Sequence, residues 1–182
     1  MLRPRHILLL FVTMLVAVGV ALGQTEPENK NEAFRRNKIS LAVTHTFVPT
    51  TVNSSGDKTY LSLASWGLDY DYRITPQWGI GLHSDLVIQD FEYEDDDVVR
   101  KRVKPLAMAV VGTRKFGEHL TVVAGGGAEF SRDEETLALI RLGVDYGWEL
   151  PAGLELSFSI TTDFKINAYN ALVFGFAVGK TF

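Results

Sequence analysis

Three groups of residues in this 182-residue chain have types and spacings that invite a chemical reading. The tripeptide His83-Ser84-Asp85 holds a base, a nucleophile and an acid in a row. His45, Ser62 and Asp90 supply the same three types from distant positions. A serine relay needs the imidazole to touch both the hydroxyl and the carboxylate, so the elements that aim these side chains decide each case. The third group is charged: Asp69, Asp71, Arg73, His83, Asp85, Glu129, Arg141, Asp145, Glu149, Glu155 and Asp163. Several other chemistries drop out early. The chain has no cysteine, which removes disulfides, thiolate zinc sites and cysteine nucleophiles together. His45, His83 and His119 lack metal-ligand spacing, so no metal is expected. Gly125-Gly126-Gly127 lacks the lysine and helix of a phosphate loop, and no cofactor is expected. A net charge of −4 argues against nucleic acid as a partner, which calls for a basic face.

The elements that must position these residues are strands. Past residue 38 no helical stripe runs for three turns, whereas alternation with period two recurs. Trp66, Leu68, Tyr70 and Tyr72 share one face, against Gly67, Asp69, Asp71 and Arg73. Trp78, Ile80, Leu82, Leu86 and Ile88 oppose Gly79, Gly81, His83 and Asp85. The same split sets Ile140, Leu142, Val144, Tyr146 and Trp148 against Arg141, Gly143, Asp145 and Gly147. Leu154, Leu156, Phe158, Ile160 and Phe164 stand against Glu155, Ser157 and Asp163, and Leu172, Phe174, Phe176 and Val178 against Gly175 and Gly179. Weaker segments at 39–48, 103–116 and 119–131 bring the total to eight strands. Loops at 49–58 and 92–102 are long, while turns near 75–77, 117–118, 132–133, 151–152 and 167–168 are short. Antiparallel up-and-down hairpins fit that rhythm. Strands of 10 to 15 residues exceed the ~5–6 of soluble sheets and suit the ~9–11 of a tilted membrane strand.

The first 23 residues differ in kind. Arg3, Arg5 and His6 precede the apolar run Ile7–Val18, and small residues close the segment at Ala21 and Gly23. A basic start, a short apolar core and small residues before the cut describe a secretory signal peptide. Ile7–Leu22 is 16 residues, short of the ~20 that a spanning helix requires. The expected division is a signal peptide at 1–23, a polar lead-in at 24–38 and a barrel at 39–182. Loss of Arg3 and Arg5 leaves 16 basic and 22 acidic residues in the exported chain. Cleavage just before Gln24 resembles the habit of secreted proteins of the Bacteroidota.

Alternation alone does not say which face meets solvent. The aromatics Tyr70, Tyr72, Trp78, Tyr146 and Trp148 gather at the short-turn end, where amphipathic rings favour a membrane boundary. Nine of the sixteen glycines lie on the polar face, which leaves room there for charged side chains in a narrow bore. That face is too charged to be the core of a soluble barrel. The expected class is all-β, an eight-stranded antiparallel up-and-down transmembrane β-barrel with the apolar face outward. Residues 39–182 resemble the small outer-membrane barrels of the OmpA-transmembrane and OmpX type. The ending Phe174-Gly-Phe-Ala-Val-Gly-Lys-Thr-Phe182 resembles the signal read by the barrel assembly machinery, although Lys180 departs from its usual apolar residue.

With strands in place the chemistry can be judged. Successive side chains point to opposite faces, so Ser84 turns away from His83 and Asp85, the tripeptide is no relay, and His83 with Asp85 is expected as a hydrogen-bonded pair in the lumen. Hairpins centred on 49–58 and on Pro76 would set His45 opposite Ser62, and Ser62 opposite Asp90, on the outer wall. Outer-membrane lipid A deacylases resemble this in placing a Ser, a His and a carboxylate outside the barrel, but Ser62 in the middle is the wrong order for a relay. The expectation is therefore no catalytic residue and no enzyme activity. Asp69, Asp71, His83, Asp85, Glu129, Arg141, Asp145 and Asp163 are expected to form a polar plug in the lumen, the alternative being a narrow cation-favouring pore. The expected partners are outer-membrane lipids and lipopolysaccharide, with assembly through Phe182, in a monomer whose surface contacts are the 49–58 and 92–102 loops.

Overall fold

The computed structural model describes residues 34–182, apart from 53–57, 96–97 and 133. The leader and most of the polar lead-in therefore lie outside the described residues, as does the tip of the 49–58 loop. Ten strands form in chain order among the described residues. They are β1 (Asn37–Val52), β2 (Lys58–Arg73), β3 (Trp78–Val87), β4 (Phe91–Asp95) and β5 (Val98–Arg102). Then come β6 (Leu106–Phe116), β7 (Leu120–Phe130), β8 (Leu137–Leu150), β9 (Leu154–Lys165) and β10 (Asn170–Thr181). Eight of them close a barrel in the order β1-β10-β9-β8-β7-β6-β3-β2, every neighbour antiparallel. Among the described residues no helix is long and apolar enough to cross a membrane.

Closure is made where the chain ends meet. The Asn37 amide donates to the Phe182 carbonyl at 3.1 Å, and the Phe182 amide returns a bond to Asn37 at 2.9 Å. The turns at 74–77, 117–119 and 151–153 lie at this terminal end, and the remaining connections lie at the other, hairpin end. Tight backbone geometry serves those turns: Gly117 has φ +64°, and Ala152 with Gly153 adopts the same left-handed region after Pro151.

The alternation resolves as expected, apolar side out. Leu41, Leu68, Val110, Ile140 and Phe176 are exposed on the outer wall, as are Trp78, Tyr146 and Trp148 near the terminal end. From Ala138 to Trp148 the outward positions of β8 are unbroken by charge. Ten residues at ~3.3 Å each, tilted by ~40°, make a band of roughly 25 Å.

Several sequence-based boundaries shift, and the expected 49–58 loop is shorter because β1 runs on to Val52 and β2 starts at Lys58. β1 begins at Asn37 rather than 39, which brings Lys38 into the barrel wall. The short turn expected at 132–133 is longer, since β8 starts at Leu137. The 92–102 segment, expected as a solvated loop, is a two-stranded hairpin of β4 and β5 separate from the barrel sheet. Its Phe91 and Tyr93 fold inward and join Val48, Leu63, Val87, Leu137, Tyr169 and Ala171 in a buried cluster at the hairpin end. Phe91 and Tyr93 pack on Tyr169 with ring centroids 5.5 and 4.6 Å apart. Apolar rings thus fill a mouth that alternation alone marked as polar.

The glycines on the inner face divide by cause. At Gly81 a Cβ would strike the Asp71 carboxylate, and at Gly147 it would stand 3.0 Å from Glu155, so these two do make room for charge. Gly125 and Gly127 answer to backbone instead. A Cβ on Gly127 would collide with the Met108 carbonyl and come within 2.6 Å of the Ala109 Cα. The close approach of β7 to β6 depends on both. Gly112, on the outer face, is different, because an added Cβ there meets only the Ala124 carbonyl at 3.8 Å. Replacing Gly127 by Val is expected to cost at least the ~1–3 kcal/mol of an overpacked site. On a gel that separates folded from heated barrel, Gly127→Val should lose its folded band at lower temperature, while Gly112→Ala should keep it.

Candidate functional site

The lumen is filled in tiers. Midway along it Arg141, on β8, is 2% exposed and grips Asp163 of β9 with two parallel bonds, Nε to Oδ1 at 2.7 Å and Nη2 to Oδ2 at 2.8 Å. The same Nη2 lies 2.8 Å from Asp85 on β3, three strands further round the barrel. Register puts Arg141 beside Gly125 and Asp163, so the guanidinium starts from the wall with the least side-chain bulk. A planar fork that meets two carboxylates from different walls spans the bore like a bar.

Below the bar, toward the terminal end, lies a mixed network. His83 Nε2 is 3.0 Å from Asp71 Oδ1, across the β2–β3 pair. Lys38 Nζ reaches Glu155 at 2.9 Å and Asp71 at 3.9 Å, and Arg73 reaches Glu155 at 3.3 Å. Asp69 accepts the Ser84 amide at 3.1 Å. Two cavities of about 50 and 40 Å³ share Lys38, Asp71 and Asp145 in their walls. Each has room for a few waters at the ~10–15 Å³ that one occupies by this measure. Neither extends past the Arg141 level among its lining residues.

Beside the bar the β6–β8 wall is apolar, with Ala107, Ala109, Val111, Val123 and Leu139 packed together across its level. Glu129 then gathers a second charged knot. Arg102 Nε donates to it at 2.9 Å, Lys165 Nζ lies at 3.3 Å, and the Tyr169 hydroxyl donates at 2.7 Å. Arg102 also holds the Glu135 carbonyl at 2.8 Å, which ties the β4–β5 hairpin to the 131–136 connection. Burial and the Glu129 carboxylate push the Tyr169 phenol far above its usual pKa, so it remains a donor.

The expected plug residues therefore share one lumen, but not in the pairs that sequence proximity implies. His83 partners Asp71 rather than Asp85, because Asp85 is drawn to Arg141. Asp145 stands between the two cavities. Glu149 is outside the plug, at the terminal rim with Lys115. Arg73 and Glu155 belong to the lower network. Lys38, Arg102, Lys165 and Tyr169 join the lumen from outside the expected set. Lys165 keeps the parity of Asp163 and is legible on that ground. Arg102 and Tyr169 follow non-local packing and carry no local signal.

On the outer wall the two serine constellations separate. Ser84 turns outward and donates to the Leu68 carbonyl at 2.6 Å, away from His83. His45 pairs in register with Ala64, two residues from the position expected, and Ser62 with Phe47. The Ser62 hydroxyl still reaches His45 Nδ1 diagonally, at 3.4 Å. Asp90 pairs with Lys101 at 3.8 Å, so the acid is engaged elsewhere. No residue group among those described has the makings of a metal site.

No protein-family model matches the chain, and neither does any curated protein sequence. Solved structures do. The fold is similar to Ail, the attachment invasion locus protein of Yersinia pestis, at 11% identity and a TM-score of 0.56, over 81% of this chain and 99% of that one. It is similar to Neisserial surface protein A at 12% identity and 0.51, over 80% and 97%. The N-terminal β-barrel domain of Pseudomonas aeruginosa OprF matches at 14% and 0.50, over 81% and 99%. At these identities the likeness is one of fold: the chain is a closed, eight-stranded antiparallel β-barrel of the kind seen in these small outer-membrane proteins.

Proposed function

We propose that the chain is an exported outer-membrane β-barrel without enzymatic activity, whose lumen is sealed and whose work is contact at the hairpin-end surface. The observation that carries this is the pairing of an all-round apolar outer wall with a bore barred by Arg141, Asp163 and Asp85. A closed sheet leaves no unpaired backbone edge, which is what lets strands live in lipid. The leader at 1–23 supplies the export route. Phe182, exposed beside the girdle, is the residue offered to the assembly machinery, and lipids with lipopolysaccharide are the immediate partners. Surface contact falls to the β4–β5 hairpin, whose Val99 stands out into solvent, and to the 49–58 loop. The barrel acts as a monomer.

Sealing has a direct electrical consequence. In planar bilayers the wild-type protein should give no conductance steps, and steady steps would mean that the plug reading is wrong. Arg141→Ala leaves the buried Asp163 and the half-buried Asp85 without their cation. Breaking one partner from a buried pair costs ~3–5 kcal/mol, so the folded band of this variant should melt well below that of the wild type.

The Ser62–His45 contact favours a second reading, a lipid A deacylase on the outer wall. With Asp90 held by Lys101, the His lacks the carboxylate that orients a base. Lipid A from cells expressing wild type and Ser62→Ala should carry the same acyl chains by mass spectrometry. Loss of an acyl chain with the wild type alone would favour the deacylase instead.

A further inference from the structure

The outer wall carries a cation inside its aromatic girdle. Arg114 on β6 faces outward, directly opposite Trp78 on β3 and Val122 on β7. Its guanidinium carbon lies 4.9 Å from the centroid of Trp78 and 4.7 Å from that of Phe116. Both rings are exposed on the same wall. Among the described residues no carboxylate stands within ion-pair distance of Arg114, and the neighbouring Lys115 turns inward to take Glu149. Other cations at this rim are already used: Lys180 donates to the Ala152 carbonyl, and Arg36 to the Tyr72 hydroxyl at 3.4 Å.

We propose that Arg114, clasped by Trp78 and Phe116, is a binding site for the phosphate of an anionic phospholipid at the terminal-end rim. The rings fix the guanidinium, so its hydrogen-bonding edge is pre-organised for a tetrahedral oxyanion. The long stem carries that fixed charge from the apolar band to the headgroup level. Ile80, Val110 and Val122 lie exposed beside it on the same wall. An acyl chain can lie along them while the phosphate meets the fork, and a free anion gains only the second contact. The ligand is therefore an amphiphile, not a soluble phosphate. The proposal rests on the membrane reading above.

The test uses the folded barrel in nanodiscs holding equal phosphatidylglycerol and phosphatidylcholine, with the last retained lipid identified by native mass spectrometry. A single arginine near the surface is worth roughly five-fold, so the wild type should retain phosphatidylglycerol in about that excess. Arg114→Gln should bring the ratio close to one, and Arg114→Lys, which keeps the charge without the fork, should fall between. Folding of each variant is confirmed by its heat-sensitive gel shift. An unchanged ratio in folded Arg114→Gln overturns the site. Displacement of the retained lipid by millimolar inorganic phosphate also overturns it, in favour of a free-anion site. Wild type that enters discs without preferring phosphatidylglycerol refutes the site alone, whereas wild type that enters no bilayer refutes the membrane reading as well.

Discussion

The meeting of β1 with β10 governs the rest of the molecule. Once Asn37 and Phe182 exchange their backbone bonds the sheet has no edge, and every strand residue must face either the outer wall or a bore eight strands wide. That bore has room for side chains and little else. Alternation then becomes compulsory, since a residue that slips by one position moves to the opposite environment. The outer wall took the apolar half of each strand, so the charges had only the inside to occupy.

Charges confined to a narrow bore must neutralise one another where they stand. Arg141 does so with two carboxylates from different walls, and Glu129 does so with Arg102, Lys165 and the Tyr169 hydroxyl. Both knots join strands that are not neighbours in the sheet, so they brace the barrel across its width. The side chains that brace the barrel also narrow its bore, and under the proposed function that one arrangement is what seals it. The two small cavities lie on the terminal side of the Arg141 bar, and the mouth beyond the Glu129 knot is filled by Phe91, Tyr93 and Tyr169.

What the sequence reveals follows the range of the forces involved. Strand number, antiparallel order and the outward face are legible, because parity is a property of each segment by itself. Leu142 against Arg141 needs no knowledge of any other strand. Partner choice needs register, and register depends on where each turn closes. That is why parity sets His83 with its neighbour Asp85, when Asp71 lies across the ladder. The β4–β5 hairpin is hidden for a further reason. Glu92, Glu94 and Asp95 dominate its composition, and the burial of Phe91 and Tyr93 is settled by Tyr169, some 76 residues further on from Tyr93. Gly127 reads as space for charge because the nearness of Met108 on β6 is invisible in a list of faces.

These commitments narrow where function can sit. Most of the lumen's charged groups, Arg141, Asp163, Asp85, Glu129 and Lys165 among them, hold one another, and a group that must hold its neighbour's charge is poorly placed to hold a substrate's. On the outer wall His45 has its serine, and among the described residues Asp90, the carboxylate of the constellation, lies 3.8 Å from Lys101 instead. A relay without its orienting group leaves the imidazole free to turn, which is the geometry least suited to taking a proton from a hydroxyl. What remains uncommitted is at the two rims. One presents a hairpin anchored by Arg102 yet exposed along Glu92 and Lys101, and the other presents a girdle in which Arg114 has aromatic company and, among the described residues, no counter-charge. Under the function proposed, a barrel whose inside keeps it shut works through its ends.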